Sequence, residues 1–310
     1  MRVPSSLSAV AVPAACFLAG YVLHYLHTRK PSSSGFQLSP TLACLTQHKS
    51  PITKTSTWIN LGLWTSNDLT YPAACEQLAL CLGRAVKLGP KDIVLDVGCG
   101  RGDQCILWHT YFNVAEVLGV DITPEHVAGA VQMVQSLGLS DRIRIALGSA
   151  TSLASHVDSI AAVTKIVSCD AAYHFVTRAT FLAEAFAILA PGGVLGMIDV
   201  VVADEVLTWT GLQHVQLRGL LSMTGVPFEN LKTVTQYESD WLNAGFVNVH
   251  VEPLDQVLEG FAQFVQRQRI QLEQWGLHEG FEKFVVVGEF LAVCAQNNYI
   301  QFVLATGGKP

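Results

Sequence analysis

The segment Ile93-Val-Leu-Asp-Val-Gly-Cys-Gly-Arg-Gly102 carries an apolar run, closed by an acid, into three alternating glycines. A short run of branched apolar residues bounded by glycine predicts a buried strand, and the glycines after it predict a tight turn into a helix. Glycine tolerates positive φ and lets a ligand approach main chain where a Cβ would collide. Strand, glycine turn and helix in this order open the nucleotide-binding α/β folds. The dinucleotide fingerprint needs a glycine at its sixth position. Counted from Gly98, that position is Asp103, so the fingerprint fails. What stands is Asp96-x-Gly98-x-Gly100-x-Gly102, followed by a second apolar run, Glu116 to Ile122. Its Asp121 falls roughly 20 residues on, where such folds keep the acid that grips ribose hydroxyls.

Later landmarks follow in order: a third strand near Ile143 to Leu147, then Lys165-Ile-Val-Ser-Cys-Asp170 and Ala-Ala-Tyr-His-Phe-Val-Thr-Arg178. A helix from Thr180 to Leu189 precedes Ala190-Pro-Gly-Gly193 and the apolar strand Val194 to Val201, which carries Asp199. With these in place the chain, from about Trp58 to its C-terminus, resembles the class I S-adenosylmethionine-dependent methyltransferases. Among their branches it looks most like those acting on small molecules and lipids, the quinone, tocopherol, sterol and cyclopropane-synthase relatives. Trp58-Ile-Asn-Leu-Gly-Leu-Trp64 is similar to a segment those enzymes carry ahead of the core.

The resemblance implies an α/β, Rossmann-like fold: a seven-stranded methyltransferase sheet, helices on both faces, and a helical cap insertion at about 201–237. It implies S-adenosyl-L-methionine as cofactor. Asp96, Gly98, Gly100 and Gly102, with Gln104 in the first turn of the following helix, would lie against its methionine and ribose parts. Asp121 would bind the ribose diol, with Ile122 beside it. Ser149, Ala150 and Asp170 are expected to contact the cofactor from the ends of the third and fourth strands. Trp64, with Trp58, Asn60 and Gly62, forms either a lid over it or a packed turn with aromatic anchors.

A sulfonium-bound methyl group is attacked in line, so positioning supplies most of the catalysis, and an alcohol or phenol must also lose a proton. His174 follows the fourth strand at the carboxyl edge of the sheet, where open α/β folds bind ligands. A neutral imidazole is available as base near physiological pH. In related O-methyltransferases a His in this segment is the base and an Asp on the fifth strand assists it; those positions read His174 and Asp199. The plain alternative is that His174 only packs its loop. O-methylation is expected ahead of N- or C-methylation. Two positions depart from the family: Gly148-Ser-Ala150 replaces the usual Gly-Asp-Ala, and Arg101 replaces a small hydroxyl residue.

The 310 residues suffice for one large α/β core with a cap, read as a methyltransferase domain over 58–310 after a linker and lead-in at 31–57. Half the residues are apolar, 14% are charged, and the net charge is -6. No cluster of Lys and Arg is present to match phosphates, which disfavours a nucleic-acid substrate. Eight cysteines form no Cys-x-x-Cys and no zinc-spaced cluster with histidine, so no metal site is expected. The acceptor is therefore expected to be a small, apolar or lipid-like molecule.

Within the segment 1–30, Leu7 to Leu26 contains no Asp, Glu, Lys or Arg, close to the length that crosses hydrocarbon. It is read as a membrane anchor holding a cytosolic catalytic domain, at the endoplasmic reticulum or alternatively the mitochondrion. A cleaved signal peptide stays open, because Ala-x-Ala-like sites lie near Ala11 to Ala15, whereas a matrix-targeting peptide would want more Arg. Three other functions remain: a nicotinamide oxidoreductase, which should show the missing glycine; a catalytically silent binding protein; and a secreted binding protein.

Overall fold

The computed structural model describes residues 56–157, 162–275 and 282–310. The expected anchor at 7–26 lies outside the described residues. Among the described residues no helix is long and apolar enough to cross a membrane.

Helix α1 (Tyr71–Ala85) starts where Thr70 accepts a hydrogen bond from the Ala73 amide, with Pro72 in its first turn, the position at which proline is tolerated. There follow β1 (Ile93–Val97), α2 (Asp103–Phe112), β2 (Glu116–Asp121), α3 (Pro124–Ser136), β3 (Ile143–Leu147), the short α4 (Ala154–Val157) and β4 (Val163–Cys169). After a 3₁₀ turn, Ala172–His174, come α5 (Arg178–Ile188), β5 (Leu189–Val202), α6 (Asp204–Leu207), α7 (Gly211–Thr224) and α8 (Val234–Asn243). The chain closes with β6 (Val247–Pro253), α9 (Gln256–Gln274), α10 (Glu282–Gln296) and β7 (Ile300–Gly308).

The strands form one seven-stranded sheet in the order β3-β2-β1-β4-β5-β7-β6. β7 runs antiparallel to both β5 and β6, and the other pairings are parallel. Strand order reverses between β1 and β4, so the loops leaving their carboxyl ends diverge and open a crevice there.

Both faces of the sheet are covered. Alternation along β1 sends Val94 into a core with α1, α2 and α9, and sends Leu95 and Val97 into a second core with α5 and α8. A smaller cluster joins Val202 and Val206 to Leu217, Leu221 and Leu231, in the stretch between β5 and α8 expected to form the cap.

Trp64 stacks on Phe264 of α9 with ring centroids 4.9 Å apart, and donates its indole N–H to the Leu61 carbonyl at 2.8 Å. Gly260 makes the space: a Cβ there would sit 2.2 Å from the Trp64 Cβ. Gly260→Ala should therefore lower stability by about 1–3 kcal/mol, the usual cost of overpacking, as measured by denaturant unfolding.

Candidate active site

The glycine loop is fixed from beneath before any ligand arrives. The amides of Gly98 and Cys99 both donate to the Val120 carbonyl of β2, at 2.8 and 3.2 Å, and Gly102 N–H donates to the Cys99 carbonyl at 3.1 Å. Gly98 has φ +79, and a Cβ there would lie 2.5 Å from the Cβ of Ala171, in the loop leaving β4. Gly100 has φ +56, and its Cβ would meet Ile59 Cδ1 at 2.9 Å. Gly102 has another role, since its Cβ would touch Ala130 of α3 at 3.0 Å. It permits helix packing and does not line the cavity described next.

A cavity of about 500 Å³ opens beside this loop, within the range of small-molecule sites. Gly98, Gly100, Gln104, Asp121, Ile122, Ser149, Ala150, Asp170 and His174 all line it. Asp121 Oδ2 accepts the Gly100 amide at 2.8 Å and Oδ1 accepts the Thr123 amide at 2.9 Å, while His126 Nδ1 stands 3.3 Å from Oδ1. Burial alone would raise its pKa, but the imidazole of His126 and the two amides together outweigh that and lower it. An ionised acid here can still accept from a ligand diol. Ile122 is 70% exposed, an apolar platform on the rim. Ser149 Oγ is engaged with Thr151, through its hydroxyl at 2.9 Å and its amide at 3.2 Å. Glycines without Cβ atoms, an acid at the end of β2 and an apolar shelf beside it fit a sulfonium nucleoside: the loop would take its methionine part and Asp121 its ribose.

Besides Gly102, three expected site residues lie elsewhere, for reasons of strand parity and packing. Asp96 shares the face of Val94, so it points into α2 and not to the strand end. There its carboxylate accepts from Gln104 Nε2 at 2.6 Å and Trp108 Nε1 at 2.7 Å. Asp199 shares the face of Met197 and Val201, where Arg178 Nη1 donates to its Oδ2 at 3.0 Å and the Tyr237 hydroxyl at 3.2 Å. It makes no hydrogen bond to His174 and influences it through charge alone. Trp64 does not line the cavity and forms the packed turn described above.

The segment 57–61 crosses the cavity as a strap held by two carboxylates. Asp103 accepts the Thr57 amide at 3.0 Å and, at close range, the Thr57 hydroxyl. Asp170 accepts the Leu61 amide at 2.7 Å. Trp58, Ile59, Asn60 and Leu61 then line the cavity. The role of Asp103 is visible in sequence only as the acid that breaks the dinucleotide fingerprint. Burial raises the pKa of Asp170 to about 7, against hydrogen bonds from Tyr173 and Leu61, and that of Asp103 to about 6, against those from Thr57. It likewise raises Asp96 to about 7.

A folded pKa above the unfolded one means that the folded protein holds protons the unfolded chain has released. The stability these groups contribute is full below their ordinary value of 3.8 and is lost as pH rises through 6 to 7. Thermal unfolding of the ligand-free protein should show a lower midpoint at about pH 8 than at about pH 5.5, by more than in Asp170→Asn.

His174 is half-buried at the end of the 3₁₀ turn, with Nδ1 3.4 Å from the Gly225 carbonyl of the cap. Burial lowers its pKa below 6.5, partly offset by that carbonyl and by the charge of Asp199. The carbonyl can only accept, so Nδ1 carries the proton and Nε2 keeps its lone pair. The same cavity is lined by the apolar side chains of Leu220 and Leu221 of α7, Val226, Phe261 of α9, and Phe290 and Leu291 of α10. The contribution of α9 and α10 could not be foreseen, because their amphipathic patterns show a buried face without saying what it encloses.

A family profile described as "Methyltransferase domain" matches residues 88–236. Erythromycin 3''-O-methyltransferase of Saccharopolyspora erythraea is 34% identical over 217 residues, covering 68% of this chain and 69% of that protein. (+)-O-methylkolavelool synthase of Herpetosiphon aurantiacus is 27% identical over 142 residues, 45% of this chain, which spans about half (49%) of that relative. The cyclopropane synthase MmaA2 from Mycobacterium tuberculosis superposes with a TM-score of 0.66 at 21% identity, over 88% of this chain and 95% of its own. That last likeness shows the fold.

Proposed function

The chain belongs to the class I S-adenosylmethionine-dependent methyltransferases, and we propose that it methylates a hydroxyl oxygen of a bulky, apolar, lipid-like small molecule, with His174 as general base. S-adenosyl-L-methionine, when bound, supplies a methyl group activated by the sulfonium. The residues do the rest. Gly225 holds the imidazole in the tautomer whose Nε2 keeps its lone pair for a proton, and burial keeps it neutral near pH 7. Leu221, Val226, Phe261 and Phe290 exclude water and offer an acceptor contact area without charge.

The single observation that carries this reading is an imidazole, kept neutral by burial, lining the same cavity as the glycine loop and as Leu221, Val226, Phe261 and Phe290. The names of the first two relatives, both O-methyl products or reactions, support oxygen as the acceptor atom. Incubating the protein with isotopically labelled cofactor and a panel of hydroxylated terpenoids and macrolides, beside matched amines, tests it. Label should enter the alcohols, and label in the amines alone would refute the oxygen assignment. With an acceptor found, kcat/KM should fall on the acid side through an apparent pKa below 6.5, since protonation removes the Nε2 lone pair. His174→Gln should erase that limb and slow turnover by about 10²–10⁴.

The apolar run at 7–26 completes the proposal as a membrane anchor that delivers a cytosolic domain to lipid-dissolved acceptors. Full-length protein should stay with membranes after alkaline carbonate, and a form starting at residue 31 should not.

A further inference from the structure

Among the described residues no cationic side chain pairs with Asp170. It has the left-handed φ of +58, and its two oxygens accept from Leu61 N–H and from the Tyr173 hydroxyl, each at 2.7 Å. The titratable groups that share an electrostatic interaction with it are Tyr71, Cys75, Cys169, Tyr173 and Asp199. Each of these is neutral or negative, and Asp199 already has Arg178. A buried carboxylate in such company is poorly stabilised as an anion, and burial holds its pKa near 7. Yet it lines the cavity, and its neighbour Ala171 abuts Gly98, the first glycine of the loop that would take the cofactor's methionine part.

The cofactor arrives there as a sulfonium cation and leaves as a neutral thioether. We propose that Asp170 is the counter-ion of that sulfonium charge and that loss of the charge on methyl transfer loosens the strap it holds through Leu61. This rests on the cofactor reading above and adds its regulation. The charges balance. The methyl–sulfur bond breaks with its electron pair remaining on sulfur, an oxygen–methyl bond forms, and the acceptor hydroxyl gives up one proton. The acceptor's proton passes to Nε2 of His174 and from there to solvent, and Asp170, no longer paired, takes up one proton from solvent, so that the lost sulfonium charge and the lost carboxylate charge cancel. A neutral carboxyl is a weaker acceptor for the Leu61 amide than an ionised one, so the strap opens as the thioether forms. With the charge gone, affinity falls and product can leave.

The test is calorimetric binding of S-adenosylmethionine, S-adenosylhomocysteine and 5'-methylthioadenosine to wild type and Asp170→Asn, each at pH 7 in two buffers of different protonation enthalpy. Wild type should favour the sulfonium over the thioether by at least about tenfold, as expected for charges meeting in a partly buried site. It should also release a fraction of a proton on binding the sulfonium that it does not release on binding the thioether. In Asp170→Asn both differences should vanish, while methylthioadenosine, which has neither sulfonium nor amino-acid part, binds both proteins alike and reports that the variant is folded. A ratio unchanged by the substitution, or equal weakening of all three ligands, would overturn the assignment while leaving the cofactor reading intact. Wild type that bound neither methionine-bearing ligand would overturn both.

Discussion

Replacing Arg178 by alanine is expected to cost about 3–5 kcal/mol of folding stability, the largest single loss the structure predicts, because it strands a buried charge. Arg178 is 1% exposed and Asp199, its partner at 3.0 Å, is fully buried. The guanidinium also donates to the Val200 carbonyl at 3.1 Å and the Asn230 carbonyl at 2.7 Å, and lies 4.6 Å from the centre of the Tyr237 ring. Asn230 in turn donates to the carbonyls of Tyr173 and Phe175, on either side of His174. The same substitution should therefore displace the histidine and depress kcat in whatever protein remains folded. Removing both charges together, Arg178→Met with Asp199→Leu, should recover much of the stability, since two apolar groups leave no unpaired charge behind. Urea unfolding of the three forms measures this. A double variant no more stable than Arg178→Ala would show that the loss comes from packing.

Gly98→Ala should weaken cofactor binding by about 100-fold, roughly 2.7 kcal/mol. A side chain at φ +79 is strained by itself, at about 1–2 kcal/mol, and the added Cβ would stand 2.5 Å from that of Ala171. Both atoms sit directly on backbone, so no rotamer change relieves the overlap. Either the loop leaves its bonds to Val120 or the β4 turn carrying Asp170 and His174 moves away. Titration calorimetry with S-adenosylhomocysteine reads the effect, and an affinity within threefold of wild type would show that the loop has slack the geometry does not display.

What the sequence disclosed depends on the range of the interaction. The glycine loop, the acid ending β2 and the order of strands are written in local pattern: apolar runs, positive-φ residues and their spacing. The fold and the residues at the ends of β2, β3 and β4 were legible for that reason. Asp96 and Asp199 sit in the right strands, but the direction of each follows from which core its neighbours join, and that is settled by helices distant in sequence. Trp64 was legible as an aromatic needing burial and not as the partner of Phe264, 200 residues away. The strap was hidden most completely, because Asp103 and Asp170 had no visible reason to bond Thr57 and Leu61 until the sheet brought them together.

The wall proposed above to seat the acceptor draws its surface from three separate stretches, α7 with the loop after it, α9 and α10, none of which supplies the glycine loop or the end of β2. Recognition of the donor and recognition of the recipient are thus written in different parts of the gene. Exchanging side chains such as Leu221, Val226 and Phe290 should retune which small molecule is accepted without disturbing nucleoside affinity, so descendants of such a scaffold can diverge in product while inheriting one and the same reagent.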